Sequence, residues 1–347
     1  MTSPLAEPQK SATIYDVARA AGVSHQTVSR VLRGVGGIRP ETRDKVQSAL
    51  LELRYRPSVV ARELASSRPS RIGVVGYETF ESSTSKVLKG VNEVATEAGY
   101  VLDIVTVDPL GDVDEIVRRL DAINGSDVAG LLATSPTTRV RQAFERSVFT
   151  MPVFLDVTGD VDLRPGPFYG TSLAAQLVMN HLVELGHTRI AHIAGPAGWD
   201  SASNREAVYH ATLRQHGLSD FPVAHGDWSA ASGYRAASAL TSDAGALTSD
   251  AGVTAVFVAN DRMALGVIRA LTERGIRVPH DVSVAGIDDI PEAAYFSPPL
   301  TTVHNEFAES GRVAARSLIG LIERPGEPLP EYPVNALTVR ESTAPVG

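Results

Sequence analysis

Residues 13–32 read TIYDVARAAGVSHQTVSRVL. Thr13 is a good helix cap, and Ile14, Val17, Ala18 and Ala21 follow it at helical spacing. Asp16 stands three places after Thr13, where a carboxylate completes a box-like cap and suits the positive end of the helix dipole. Gly22 marks the stop, because the residue that ends a helix often takes a positive φ. Ser24 is placed to cap a second helix running from His25 to about Arg33, which Gly34, Gly36 and Gly37 end. Val23, Val28, Val31 and Leu32 suit one apolar face there, while His25, Gln26, Thr27, Ser29 and Arg30 make the other face hydrogen-bonding. Pro40 opens a third helix, and Val46, Ala49, Leu50 and Leu53 form its buried stripe.

Two short helices joined by a tight turn, with a third closing a small core, describe a helix-turn-helix unit. In such a unit the second helix enters the DNA major groove and its N-terminal residues reach base edges. Arg30 is then suited to a bidentate pair with guanine, Gln26 to one with adenine, and His25 to donating or accepting according to its tautomer. Thr27 and Ser29 suit phosphates, which position without specifying. Charge agrees with this assignment. Residues 1–70 hold 11 Lys and Arg against 6 Asp and Glu, hence +5, so the remainder of a chain of net charge −8 carries −13. A small basic part joined to a large acidic one expects a polyanion at the N-terminal end only.

From Arg71 onward, short β-rich apolar runs alternate with helical patterns. The expected strands are 72–75, 101–107, 130–133, 153–156, 190–194, 253–258 and 282–287. The expected helices lie near 84–98, 112–124, 172–185, 202–216, 229–240 and 260–274. Such alternation predicts parallel sheets covered on both faces, and the strand number predicts two doubly wound lobes. Ligands in these folds bind outside the carboxyl ends of strands, often in the crevice between lobes. The fold class expected is an N-terminal all-α helix-turn-helix domain plus an α/β core of two doubly wound parallel-sheet lobes. The heptad ALTSDAG occurs twice in succession, at 239–245 and 246–252. It is expected to form an elongated surface loop, with a helical extension as the alternative, and no function attaches to it.

The motifs YDVA (15–18), AGVS (21–24) and QTVSR (26–30) resemble those of the lactose/galactose repressor family of transcriptional regulators. The resemblance continues through YRPSVVARELA (55–65), VFLDV (153–157), HLVELGH (181–187), HIAGP (192–196), GDWSAASGY (226–234), VANDRMALG (258–266), VAGIDD (284–289) and PPLTTV (298–303). It implies a DNA-binding domain over 1–57, a hinge helix and linker over 58–70, and a two-lobed core over 71–347 that resembles periplasmic sugar-binding proteins. The first lobe is expected over about 71–167 and 304–330, the second over about 168–303 and 331–345.

The resemblance further implies that His25, Gln26 and Arg30 read bases and that Tyr15, Ser24, Thr27 and Ser29 contact the backbone. His25 departs from the tyrosine of the family's type member, so the same operator sequence is not implied. Ile38-Arg39 replaces the usual Val-Ser, removing a capping hydroxyl. The segment after Pro57 is too short a helix to be stable alone. The family implies that it folds on DNA, pairs with its twin and inserts Leu64 into the minor groove, where an apolar wedge unstacks a base step. Packing of Leu64 against the core is the alternative.

A sugar offers paired hydroxyls and an apolar C–H face, which call for planar hydrogen-bonding side chains and an aromatic ring. Asp156, Arg205, Trp228, Asn260 and Asp288 match ligand-contact positions of the family, and Tyr169 and Phe307 match apolar walls. The implied effector is a galactoside-like sugar. For Asp288 a structural role beside Asp289 is the alternative, and for Trp228 a place in the core. Asp261 is expected as a helix N-terminal cap rather than a contact.

No H-E-x-x-H or G-x-S-x-G motif occurs, and His181 and His187 look structural, so an enzyme is not expected. Zero cysteines exclude disulfides and thiol chemistry. No cofactor or metal is expected. The first ten residues lack the apolar core of a signal peptide, and no apolar run is long enough to cross a bilayer, so a cytoplasmic, nucleoid-associated protein without membrane contact is expected. The expected partners are near-palindromic double-stranded operator DNA, a small sugar effector and a second copy in a homodimer, since no leucine heptads follow the core. A corepressor-dependent regulator binding a nucleobase or another small metabolite is the alternative, and a sugar-binding protein with no DNA role is a remote one.

Overall fold

The structure, a computed structural model, describes residues 12–32, 37–53, 55, 69–77, 82–124, 127–134, 137–156, 172–241 and 252–346. The chain divides into two compact units, Met1–Ser70 and Arg71–Gly347.

The first unit contains α1 (Ile14–Ala21), α2 (His25–Leu32) and α3 (Pro40–Glu52). The Thr13 side chain accepts from the Asp16 amide, and the Thr13 amide donates back to the Asp16 carboxylate at 2.9 Å, so the capping box is complete. Gly22 takes φ 63°, and its amide closes the last turn of α1. A side chain with a Cβ is strained in that region. Ser24 Oγ accepts from the Thr27 amide at 3.2 Å and caps α2. Arg39 precedes α3 without any side-chain cap, and Pro40 supplies the preset first residue. Val17, Ala18, Ala21, Val28, Val46 and Ala49 form the buried core, with Val23, Val31, Leu50 and Leu53 around it. Leu32 departs from the expected apolar face. It ends α2, lies outside that core and is 38% exposed. The expected hinge helix with Leu64, and the expected end of α2 at Arg33, lie outside the described residues.

The second unit holds two parallel sheets. One is built from β1 (Arg71–Tyr77), β2 (Val101–Val107), β3 (Gly130–Thr134) and β4 (Val153–Asp156), in the order β2-β1-β3-β4. The other is built from β5 (Ile190–Ala194), β6 (Ala224–His225), β7 (Ala255–Val258) and β8 (Ser283–Ala285), in the order β6-β5-β7-β8. The helices α4 (Ser82–Glu97), α5 (Val113–Asn124) and α6 (Thr138–Arg146) belong to the first sheet. Those of the second are α7 (Leu173–Glu184), α8 (Asp200–His216), α9 (Ala230–Leu240) and α10 (Asp261–Glu273). The chain then runs through β9 (Thr302–His304) into α11 (Phe307–Glu323), which packs beside α4, and returns as β10 (Ala336–Thr338), antiparallel to β9.

Strand periodicity explains the layers. Ile72 and Val74 of β1 face α4 and α11, whereas Val75 and Tyr77 join the core made with α5 and α6. In β5, Ala191 and Ile193 lie in one core and Ile190 in the other.

Two helices were not expected. The apolar stripe of α6 is only Val140, Ala143 and Phe144. That of α11 is diluted by small residues that the packing requires. A Cβ on Gly311 would stand 2.1 Å from the Val87 carbonyl oxygen of α4. Strand β7 begins at Ala255 rather than 253, and β8 is confined to Ser283–Ala285. Helix α9 ends inside the first ALTSDAG copy, and 242–251 lie outside the described residues.

Strand order positions the site. In each sheet the chain reverses its direction of winding beside the first strand, between β1 and β3 and between β5 and β7. The carboxyl ends of those strands open a crevice that loops fill with side chains.

Candidate functional site

The exposed face of α2 carries His25, Gln26 and Arg30, with Ser24 exposed just before it and Thr27 and Ser29 half-buried. Tyr15, on the first turn of α1, is 62% exposed and lies with its ring 5.2 Å from that of His25. That contact brings the start of α1 and the start of α2 to one surface. Ser24 Oγ and Thr27 Oγ1 are 3.0 Å apart and bond one another, which holds both hydroxyls in place at the head of the helix. Six of the seven described residues predicted to touch DNA therefore sit on or just before one helix, and Tyr15 joins them from the neighbouring helix.

In the second unit a cavity of about 100 Å³ is lined by the ends of β1 and β3 (Val75, Gly76, Tyr77, Thr134), by the start of α4 (Thr84, Val87, Leu88), by loop and helix residues around the other sheet and by Phe307. Arg205, Trp228, Asn260 and Asp288, which sequence placed far apart, converge on it. Arg205 projects from α8 and is 7% exposed. Its guanidinium donates to the Ala259 carbonyl, stands 3.8 Å from the Asp288 carboxylate and lies 5.7 Å from the Trp228 ring centroid. Its Nε has no hydrogen-bond partner among the described residues.

Trp228 is 6% exposed and has φ 69°. A bulky residue holds that backbone only when its surroundings fix it. Two contacts do so. Asn260 Nδ2 donates to the Trp228 carbonyl at 3.1 Å, and the indole rests against Gly195, where a Cβ would stand 2.2 Å from the ring. Trp228 thus belongs both to the core and to the cavity wall. Asn260 is the cap of α10, accepting from the Met263 amide at 2.9 Å. Its two polar atoms are therefore engaged within the protein.

The expectation that Asp261 caps that helix is corrected. It is the first residue of α10, fully buried, and its carboxyl accepts from the Ile290 amide at 2.9 Å and from Thr302 Oγ1 at 2.6 Å. Burial, and then the neighbouring Asp288 charge, push it well above the usual carboxylate range. Asp288 and Asp289 both have positive φ, 123° and 50°, and their side chains serve different sides. Asp288 faces Arg205 and accepts from Asn305 Nδ2 at 3.3 Å. The bridging role belongs to Asp289, which binds Arg340 at 2.7 Å and His304 at 3.0 Å.

Of Asp156 only the backbone is described, ending β4 opposite Thr134. Tyr169 lies outside the described residues. His181 bonds Thr343, and His187 bonds Thr254 and Ala344, both structural partners near the C-terminus or the sheet. Sequence reasoning named neither Tyr77 nor Trp199 as a contact, although it set the segment 76–80 on the first-lobe side of the pocket. Trp199 lies in the loop after Gly195-Pro196 that leads into the helix bearing Arg205, and that placement was the available signal. No group of three or more His, Asp or Glu among the described residues could hold a metal ion, and no described helix is long and apolar enough to cross a membrane.

Residues 13–58 match the model of the bacterial regulatory proteins of the lacI family, and residues 179–343 match that of the periplasmic binding protein-like domain. The chain is 34% identical over 314 residues to the lactose operon repressor of Escherichia coli K12, covering 90% of this chain and 85% of that one. It is 34% identical over 322 residues to the ribose operon repressor of the same strain (90% and 94%). It is 32% identical over 333 residues to the transcriptional repressor PurR of Haemophilus influenzae Rd (92% and 94%). Among solved structures, the lac repressor dimer bound to operator and the anti-inducer ONPF superposes with a TM-score of 0.83 at 30% identity, over 96% of this chain and all of that one.

Proposed function

The chain belongs to the lacI family of bacterial regulatory proteins, and on that premise we propose that this DNA-binding transcriptional repressor grips a near-palindromic operator under the control of a sugar held in the cavity of its second unit. The observation that supports a ligand site most directly is Arg205. A guanidinium 7% exposed, with one nitrogen unpaired, faces a carboxylate in a cavity at the carboxyl ends of parallel strands. Arg205 and Asp288 offer donors and acceptors to vicinal hydroxyls, and Trp228 and Phe307 offer apolar surface to a ring's C–H face. Asp156, Tyr169 and Asn260 complete the proposed contacts, Asn260 through its hold on the Trp228 backbone. The effector class is a galactoside-like sugar.

On the operator, His25, Gln26 and Arg30 read base edges, while Tyr15, Ser24, Thr27 and Ser29 hold the phosphates. Leu64 acts as the wedge of the hinge. The protein acts as a homodimer, because two-fold DNA needs two heads. Exposed Val101 and Ile104 on the edge strand β2 offer apolar surface to a second copy. The protein works in the cytoplasm on the nucleoid. A sugar that binds one arrangement of the lobes more tightly than the other shifts the population, and by reciprocity the operator changes sugar affinity by the same factor.

Among the relatives, the purine repressors favour a nucleobase as the rival effector, and the aromatic rings of the cavity suit one. Fluorescence anisotropy on a labelled palindromic duplex separates the readings. The expected result is tight binding over scrambled duplex and a shift in Kd of roughly 5–150-fold with a galactoside. A shift with hypoxanthine or guanine and with no sugar replaces the sugar by the nucleobase. Equal binding to scrambled duplex refutes the operator reading.

A further inference from the structure

The loop between β5 and α8 carries a residue that the family motifs do not mark. Trp199 stands at the N-terminal end of α8, and its backbone is tied to the first lobe. The Gly198 carbonyl accepts from the Thr138 amide at 2.9 Å, Trp199 forms an antiparallel bridge with Thr137, and Asp200 pairs with Arg141 at 3.1 Å. The indole packs against the cores of both lobes. It stands edge-on to Trp228 at 6.3 Å and to Tyr77 at 5.6 Å. Three aromatic rings thus form a continuous wall of the cavity that also holds Arg205 and Asp288.

Two residues that line the cavity each carry a buried polar atom without a partner among the described residues, Arg205 Nε and the Tyr77 hydroxyl, and each residue is only 7% exposed. An unpaired buried donor costs about 1–3 kcal/mol, which a ligand oxygen recovers. Burial holds the Tyr77 hydroxyl in its protonated form, so it offers a donor. The space is small. At about 100 Å³ the cavity lies well below the roughly 300–1,000 Å³ of sites that take drug-sized ligands, which favours the smaller of a single-ring and a double-ring sugar.

We propose that Trp199 is a specificity-determining residue that limits the effector to a single carbohydrate ring, its indole occupying the space a second ring would need. The anchors on Thr137, Thr138 and Arg141 keep the indole from swinging aside, so a larger ligand meets a fixed wall rather than a mobile side chain. The proposal rests on the carbohydrate reading of the preceding section and adds the size limit to it.

Calorimetric titration of the full-length protein tests it, using D-galactose, D-ribose and methyl β-D-galactoside as single rings and lactose and cellobiose as double ones. The variants are W199S, which removes the indole, and W199F, which keeps an aromatic wall. The wild type is expected to prefer a single ring, W199S to reduce that preference by roughly tenfold or more, and W199F to keep most of it. A wild type that binds lactose or cellobiose as tightly as its best single ring overturns the size limit alone, whatever the variants do. So does a folded W199S that keeps the parent preference. If W199S melts before titration, W199F must retain the preference of the wild type, and its loss there overturns the proposal. A wild type that binds none of the five sugars overturns the carbohydrate reading and this proposal with it.

Discussion

Removing the Arg205 guanidinium is the most informative single change. In R205A the Asp288 carboxylate, with its side chain 16% exposed, loses the cation 3.8 Å away, and the Ala259 carbonyl loses its donor. Breaking a buried ion pair by deleting one partner costs about 3–5 kcal/mol, and the residual exposure of Asp288 places this one near about 3. The orphaned carbonyl adds about 1 kcal/mol, for a total of about 4 kcal/mol. In a unit of this size that lowers Tm by roughly 8 °C. Pairing the change with D288N removes the stranded charge. The double variant is therefore expected to recover about 2 kcal/mol of the loss, a coupling typical of groups in contact. Scanning calorimetry of R205A, D288N and the double variant completes the cycle. Operator affinity without effector, measured on the same preparations, stays within about twofold, because the DNA-reading residues belong to the other unit. A melting temperature for R205A within 2 °C of the parent's, or a double variant no more stable than the sum of the singles, refutes the argument that this pair is coupled across the cavity.

The other two predictions concern the base-reading helix and the sheet core. R30A is expected to lose about 1–3 kcal/mol of operator affinity and to relax preference at one base position, which competition among single-base operator variants measures; an equal loss on random DNA contradicts base reading. His192, fully buried and stacked 4.3 Å from the Phe257 ring, is held by burial at a pKa of about 3 against an ordinary 6.5. The unfolded chain therefore takes up this proton first. The residue's contribution is intact above pH 6.5 and is lost as pH falls from there toward 3. H192Q is expected to flatten the slope of stability against pH between 6 and 4 by roughly 1.4 kcal/mol per unit, read by urea unfolding at each pH. An unchanged slope contradicts the burial argument.

The head was legible because its signals are local. Thr13, Asp16, Gly22 and Ser24 each act within four residues of themselves, and the structure uses each in the way its chemistry suggests. The seven expected strands of the second unit were legible to within two residues, since a buried parallel strand is a short apolar run whatever its neighbours do, whereas β6, β9 and β10, only two or three residues each, were not expected. Helix α11 was hidden because closeness rather than bulk dominates its buried face: Gly311 and two alanines let it lie against α4 and thin the stripe, left to Val313, Leu318 and Ile319, that marks a helix. Asp261 was misplaced by one residue, because Asn and Asp are equally good caps and only the fold shows which carbonyl-bearing side chain turns back on α10. Tyr77 and Trp199 escaped for a topological reason. They meet only because two sheets present their switch points to each other, and no spacing along the chain records that meeting.

The chain has two tryptophans, and both line the cavity. Nature has in effect placed a pair of optical probes where occupancy changes their surroundings, and excitation at the red edge of the protein band, which the nine tyrosines barely absorb, selects their emission. Ultraviolet-excited emission therefore reads the cavity's filling directly, without dye or label, even while the same molecule sits on DNA.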